Sequence, residues 1–160
     1  MKIKGKAYRT IWLAPDGWSV EIIDQTRLPH ELIVIPLKSA EDAARAILSM
    51  QVRGAPLIGA TAAYGLAMAI REDASDEAID RAVAFLAKQR PTAINLRWAL
   101  DEMRRAVQNI PRDQRVAAAY KRAAEICDED VETCRLIGAH GKKLIEDIAA
   151  KKGKGAKVEV

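Results

Sequence analysis

Aromatic residues are scarce in this chain of 160 residues, at 4% of the total, and there is a single phenylalanine. Alanine is abundant instead, and 49% of the residues are hydrophobic, which favours close-packed helices over a β-sandwich. A chain of this length forms about one domain with a core of ordinary size.

The sequence has no apolar run long enough to predict a membrane span or a secretory leader. The uncharged segment from Ala55 to Ile70 has only 16 residues and is rich in glycine and alanine, which indicates a buried helix. Lys2, Lys4 and Lys6 lead into a mixed pattern where a signal peptide would have an apolar stretch. We therefore expect a soluble, cytoplasmic protein with no membrane partner.

The formal net charge of +4 is modest, and lysines near the C-terminal end contribute much of it. Recognition of nucleic acid would call for base-stacking aromatic residues or a known reading motif beside such a basic patch, and the sequence has neither. We expect a solvated basic face and no nucleic-acid partner.

Only two cysteines are present, Cys127 and Cys134, in a stretch with a helical pattern. Two helical turns separate them by about 10.5 Å, which is too far for a disulfide. Their spacing is not that of a metal site, and the nearest histidine, His140, lies six residues further on. The sequence predicts buried, reduced, structural thiols, no metal and no other cofactor.

The order of the patterns predicts an α+β fold in which a small three-stranded antiparallel sheet precedes a helical bundle. Alternating residues at 8–13 and 18–23 flank a Pro-Asp-Gly turn, and the β-branched run at 32–35 predicts a third strand that Pro36 stops. Helices are predicted to begin at Ser39, Pro56, Asp76, Pro91 and Arg112.

The predicted domain organisation has three parts. Residues 1–37 form a β-meander, and residues 38–150 form a helical bundle within the same domain. The last helix is unusually long, and Gly138 with Gly141 predicts a kink or a division in it. Residues 151–160 read as a lysine- and glycine-rich linker followed by a strand that has no later segment to pair with.

Arg53 and Arg90 each stand just before a proline that can open a helix, in the segments RGAP and RPT. A helix N-terminus carries unpaired N–H groups and partial positive charge, and an arginine beside it adds a bidentate fork for an anion. Gly54 lacks a Cβ, so a ligand oxygen can approach the backbone closely. The pattern predicts a phosphate pocket formed by Arg53, Gly54, Ala55 and Arg90; two solvated arginines before ordinary helices are the alternative.

Other side chains that could carry chemistry are better explained by structure. Asp24 fits a turn with bonds from its side chain to the backbone, with a catalytic carboxylate as the alternative. His30 lies beside a proline at a strand edge, His140 sits between two glycines, and Tyr64 is expected in the core. The tryptophans are expected to anchor the core or an interface, at Trp12, Trp18 and Trp98. The chain thus offers binding groups and no convincing acid–base pair.

Four separated motifs stand in the order of one known family. They are DQTRLP from Asp24, RGAPLIG from Arg53, RPTAINL from Arg90, and ICDEDV with IGAHG from Ile126 onward. From about residue 8 to its last residue the chain resembles the aldose–ketose isomerase family of methylthioribose-1-phosphate isomerase. The residues Pro-Leu-Ile-Gly after Ala55 and Ile-Asn-Leu after Ala93 are most similar to the methylthioribose branch of the family.

The resemblance implies an isomerase of methionine salvage that acts on a sugar phosphate as a homodimer. In the family, the strand at 157–160 opens a Rossmann-like α/β domain that carries the catalytic cysteine and an aspartate. The resemblance therefore implies that this chain is an N-terminal half with no catalytic residue of its own, which needs a C-terminal half as partner. Ribose-1,5-bisphosphate isomerase and the non-catalytic regulatory subunits of translation initiation factor 2B share the scaffold and are the alternatives.

Overall fold

The structure, a computed structural model, describes residues 2–3, 5–152 and 157–159. Two compact units make up the chain, Met1–Ile126 and Cys127–Val160. The candidate phosphate-binding residues all lie in the first unit, so its helices and strands are the ones that position the site.

Short antiparallel strands form the N-terminal part of the first unit. Strands β1 (Lys2–Ile3) and β2 (Lys6–Ala7) pair as a hairpin that the sequence patterns did not predict. Strands β3 (Ile11–Leu13), β4 (Val20–Ile23) and β5 (Val34–Leu37) form the three-stranded sheet in the order β3-β4-β5. The predicted antiparallel meander is confirmed, with a shorter first strand than expected.

The last strand of the sheet contains the proline that was expected to end it. Strand β5 begins at Val34 and continues through Pro36, which pairs with Glu21 of the central strand β4. Because β5 lies at the edge of this sheet, the missing N–H of a proline costs no ladder bond on its open side. The prediction that Pro36 stops the strand is therefore wrong.

Four helices follow the sheet in the first unit: α1 (Ala40–Leu48), α2 (Ala55–Glu72), α3 (Asp76–Ala87) and α4 (Ile94–Val107). After a 3₁₀ turn at Arg112–Gln114, helix α5 (Arg115–Lys152) begins in this unit and extends into the second. The predicted α+β class, a small sheet followed by helices, is confirmed.

The start of α4 differs from the prediction. Pro91 is the second residue of a turn in which the Ala93 N–H donates to the Arg90 carbonyl at 2.9 Å, and the helix begins only at Ile94. A turn at this position needs the same φ near −65° as the first residue of a helix, so proline suits both. The sequence signal of Pro91 was therefore real, but its interpretation as the first residue of a helix is wrong.

Helix α2 is the centre of the first unit, because it packs against α1, α3 and α4. Every residue from Leu57 to Met68 is buried, as the uncharged sequence predicted. Two glycines make the packing close. A Cβ on Gly59 would lie 2.9 Å from the Asn95 carbonyl oxygen of α4, and one on Gly65 would lie 2.8 Å from the Ala43 Cβ of α1.

Helix α5 is continuous past Gly138 and Gly141, so the division predicted there is not found. Neither cysteine forms a disulfide within the described residues, and Cys127 is buried as predicted. Cys134 is exposed, which corrects the prediction of two buried thiols. All of residues 131–140 are exposed, so Cys134 lies on a solvent-facing part of the helix.

The predicted terminal strand is not found in the described residues. Residues 157–159 have no regular secondary structure, while residues 153–156 and Val160 of the predicted linker and strand lie outside the description. A strand is stabilised by backbone pairing with a neighbouring strand, and residues 157–159 belong to neither sheet of the described residues.

We expect Gly65→Ala to lower the free energy of unfolding by about 1–3 kcal/mol, because the new methyl group overpacks the contact with Ala43. Urea titration followed by circular dichroism measures this change. The matched control is Gly138→Ala, an exposed helical position with nothing within 4 Å of the added Cβ, which should be neutral or slightly stabilising. Equal effects of the two substitutions would contradict the packing account.

Candidate functional site

The start of α2 is shaped by a glycine in a conformation that other residues rarely adopt. Gly54 is the N-cap residue with φ of 95°, and a Cβ added to it would point into open space. Ala55 and Pro56 are the first two residues of the helix, and both are exposed together with Gly54. The backbone at this helix start is therefore open to a ligand.

The arginine before this glycine is exposed and lies in the loop that leads into α2. Its guanidinium donates one hydrogen bond, from NH2 of Arg53 to the Gln25 carbonyl at 2.8 Å. No other hydrogen bond or ion pair joins this guanidinium to the described residues, so donors remain for an anion.

The second arginine also stands before a helix start. Arg90 is half-buried and opens the turn that ends at Ala93, the N-cap residue of α4. Within the described part of the chain, its guanidinium makes no hydrogen bond or ion pair. Arg90 thus lies four residues before the first residue of α4, one turn further from the helix than the sequence predicted.

Two of the four helices α1–α4 have a side-chain cap at the N-terminus, and two do not. Ser39 caps α1 by accepting a hydrogen bond from the Asp42 N–H at 3.1 Å, and Ser75 caps α3 through the Ala78 N–H at 3.3 Å. Helices α2 and α4 have no side-chain cap, since their N-cap residues are Gly54 and Ala93. Unpaired N–H groups at a helix start favour an anion.

The close contact between α2 and α4 brings these two uncapped starts to the same end of the bundle. Gly59 lies four residues after the first residue of α2, which is about 6 Å along the helix axis. It contacts the carbonyl of Asn95, the second residue of α4. The first turns of the two helices are therefore neighbours.

The loop before α2 is fastened to the loop after β4. The Gln25 N–H donates to the Gln51 carbonyl at 2.9 Å, and the Gln51 side-chain amide donates to the Asp24 carboxylate at 3.3 Å. With the bond from Arg53 to the Gln25 carbonyl, three hydrogen bonds join the two loops. These bonds fix where the loop that carries Arg53 leaves the sheet.

Asp24 is the buried carboxylate of this arrangement, with only 7% of its surface exposed. One of its oxygens accepts from both the N–H and the hydroxyl of Thr26, at 2.9 and 2.6 Å. Burial alone would raise the pKa of Asp24, but the bonds from Thr26 and Gln51, with nearby Arg27, hold it below the ordinary 3.8. The side-chain-to-backbone bond expected for this aspartate is confirmed.

The other candidates take the positions of structural residues. Tyr64 is buried in α2, with its ring centroid 6.5 Å from that of Tyr120. His30 and His140 are both exposed; His30 lies in the loop between β4 and β5, six residues after Asp24, and His140 lies on α5. The tryptophans differ in burial, with Trp12 and Trp18 half-buried and Trp98 43% exposed on α4. Trp98 is therefore not a core residue.

Gln25 and Gln51 are the two positions that sequence reasoning did not single out. Gln25 lay inside a motif and Gln51 next to one, but nothing in a single sequence pairs side chains that are far apart along the chain.

Among residues 2–3, 5–152 and 157–159, no group of three His, Cys, Asp or Glu side chains could hold a metal ion. No helix in those ranges is long and apolar enough to cross a membrane.

Two solved structures share this fold, an α+β unit with a small sheet and a helical bundle. They are subunit delta of translation initiation factor eIF-2B from A. fulgidus, at 34% identity and a TM-score of 0.71, and 5-methylthioribose 1-phosphate isomerase from Pyrococcus horikoshii, at 38% and 0.72. Each match covers 79% of this chain and 38% of the other.

Residues 51–150 match the initiation factor 2 subunit family, and the chain belongs to that family. Its curated relatives include the methylthioribose-1-phosphate isomerases of Paramagnetospirillum magneticum, 63% identical over 91% of this chain, and of Methylocella silvestris, 54% identical over all of it. The chain spans 40% and 44% of the lengths of these two relatives.

We expect the acid sensitivity of the fold to depend on Asp24. Its pKa is lowered in the folded state, so its contribution to stability is complete above pH 3.8 and is lost as the pH falls through the lower folded value. The difference in free energy of unfolding between the wild type and Asp24→Asn should therefore shrink as the pH falls below about 4. Urea titrations at several pH values measure it, and a difference that stays constant would contradict the assignment.

Proposed function

We propose that this chain is the N-terminal, phosphate-binding half of an aldose–ketose isomerase that converts methylthioribose-1-phosphate to methylthioribulose-1-phosphate in methionine salvage. The observation that carries the proposal is the pairing of two uncapped helix starts, each with an arginine before it. The names of the relatives, at 54–63% identity, point to the same substrate.

In this proposal one phosphate group binds at the end of the bundle where α2 and α4 begin. Arg53 and the N–H groups of Gly54 and Ala55 hold it from one side, and Arg90 holds it from the other. The backbone N–H groups of Gly54 and Ala55 have no acceptor among the described residues, and the helix dipole of α2 adds partial positive charge. Pro56 has no N–H and contributes only to the start of the helix.

The chemistry divides the enzyme between a binding half and a catalytic half. A sugar phosphorylated at C1 cannot open its ring freely, so conversion of the aldose to the ketose needs a positioned acid and base. In the proposal this chain supplies the groups that bind the phosphate. In the proposal the acid, the base and the catalytic cysteine belong to the C-terminal half, and this chain uses no cofactor.

Two observations support a partner half. The relatives are more than twice as long as this chain. Helix α5 also exposes apolar side chains that a further domain could cover, at Val131, Leu136, Ile137, Leu144 and Ile148. We propose that residues 1–37 and 38–150 form one domain, that residues 151–160 lead into a Rossmann-like domain, and that the complete enzyme is a cytoplasmic homodimer.

The rival function is that of a non-catalytic regulatory subunit, which the similarity to subunit delta of eIF-2B supports. Such a subunit would bind a sugar phosphate or a nucleotide without turning it over. The isomerase is favoured because relatives with that name are 54–63% identical, against 34% for the subunit. Ribose-1,5-bisphosphate isomerase has the same phosphate chemistry, and substrate comparison distinguishes it.

We expect Arg53→Ala and Arg90→Ala each to weaken phosphate binding by about 1.5–3 kcal/mol, or roughly 10- to 150-fold. Arg53→Lys should also weaken it, because an ammonium group cannot reproduce the bidentate fork. Calorimetry with inorganic phosphate gives the affinity, and thermal melting gives the stability, which should hardly change. The exposed Arg81→Ala on α3 is the control. Lowered melting temperatures with unchanged affinity would favour solvated, structural arginines.

We expect residues 1–160 alone to show no isomerisation of methylthioribose-1-phosphate. A chimera that continues this chain with the remaining part of the Paramagnetospirillum magneticum relative should be active, because the binding half then meets a catalytic half. Arg53→Ala in the chimera should lower kcat/KM at least about tenfold. Turnover by the 160-residue chain would disprove the division into halves, and a folded but inactive chimera would support the regulatory subunit.

A further inference from the structure

The loop that carries Arg53 is held by a buried carboxylate and by a glutamine that donates to it. Asp24 is 93% buried, and both of its carboxylate oxygens accept hydrogen bonds from Thr26 or Gln51. Gln51 is half-buried and lies two residues before the arginine. The hydrogen-bonded carboxylate of Asp24 is thus shielded from solvent, unlike the exposed start of α2.

These side chains nonetheless determine where the arginine lies. Asp24 holds the Gln51 side chain, the Gln51 carbonyl holds the Gln25 N–H, and the Gln25 carbonyl accepts from the guanidinium of Arg53. The path from the buried carboxylate to the exposed guanidinium is therefore continuous. A long, exposed arginine loses rotamer freedom when it binds a ligand, and holding it beforehand reduces that cost.

We infer that Asp24 and Gln51 are positioning residues that hold Arg53 in the orientation needed to grip the substrate phosphate. This inference rests on the proposed function, because it assumes that the arginine binds phosphate. The guanidinium then binds through the N–H groups left free by the bond to Gln25. The two positioning residues raise affinity without touching the ligand.

A purely structural role predicts a different pattern. If Asp24 only closes the turn at residues 24–26, removing its bonds lowers stability and leaves the phosphate affinity of the folded protein unchanged. The chain contains a matched example of such a residue in Asp16. Its carboxylate accepts from the Trp18 and Ser19 N–H groups and from the Ser19 hydroxyl, in the turn between β3 and β4.

The test is a double-mutant cycle on the 160-residue chain with inorganic phosphate as the probe. Gln51→Met removes the side-chain donor and leaves the buried carboxylate in place, and Asp24→Ala removes the carboxylate itself. Each change should weaken phosphate binding about 3- to 10-fold in the wild-type background and have no effect in the Arg53→Ala background, since neither acts except through the arginine. Asp16→Ala should not change affinity in either background.

A second measurement reports on the arginine without any ligand. Nitrogen relaxation of the Arg53 Nε–Hε group should show larger motion in Gln51→Met than in the wild type, while Asp16→Ala leaves it unchanged. Circular dichroism establishes that each variant is folded. If Asp24→Ala does not fold, the double-mutant cycle is carried out with Gln51→Met alone.

The outcomes distinguish failure of the positioning role from failure of the proposed phosphate site. If Arg53→Ala weakens binding but Gln51→Met and Asp24→Ala do not, the positioning role is wrong and the phosphate site stands. Equal losses in the wild-type and Arg53→Ala backgrounds overturn the positioning role as well. If the wild type and Arg53→Ala bind phosphate equally, or neither binds it, the proposed function fails and the inference fails with it.

Discussion

The close burial of α2 is the constraint on which the rest of the first unit depends. Its residues from Leu57 to Met68 are all buried. Three other helices pack against it, and all three meet it at Gly59 or Gly65. The contact of Gly59 with Asn95 also sets the distance between the first turns of α2 and α4. Packing in the core therefore determines the geometry at the exposed end.

Sequence reasoning succeeded where a local pattern has one physical outcome. The uncharged segment after Arg53 could only be a buried helix, and Ser39 before an acidic first turn could only be a cap. It failed where one signal has two outcomes, as with Pro91, which suits a turn as well as a helix start. It also failed where a residue has a distant partner, as with Gln51, or lacks one, as with Cys134.

The candidate site combines two kinds of residue that meet different physical demands. Arg53 is exposed and Arg90 is half-buried, and within the described residues the two guanidinium groups make one hydrogen bond, from Arg53 to Gln25. Asp24 must stay buried with its hydrogen bonds satisfied, because an unpaired buried carboxylate is costly. The two kinds of residue lie in different motifs, and hydrogen bonds through Gln51 and Gln25 join them in the fold.

The missing caps of α2 and α4 mean that the first turns of these helices are incomplete in the absence of an anion. Serine or aspartate at position 93 would satisfy an open N–H group and stabilise the chain by about 1 kcal/mol. It would also occupy an N–H group that is otherwise open to an anion. The chain thus forgoes local stability at two places, and a phosphate bound as proposed would act as the N-terminal cap of α2. Ligand concentration and the folding equilibrium would then be linked by mass action.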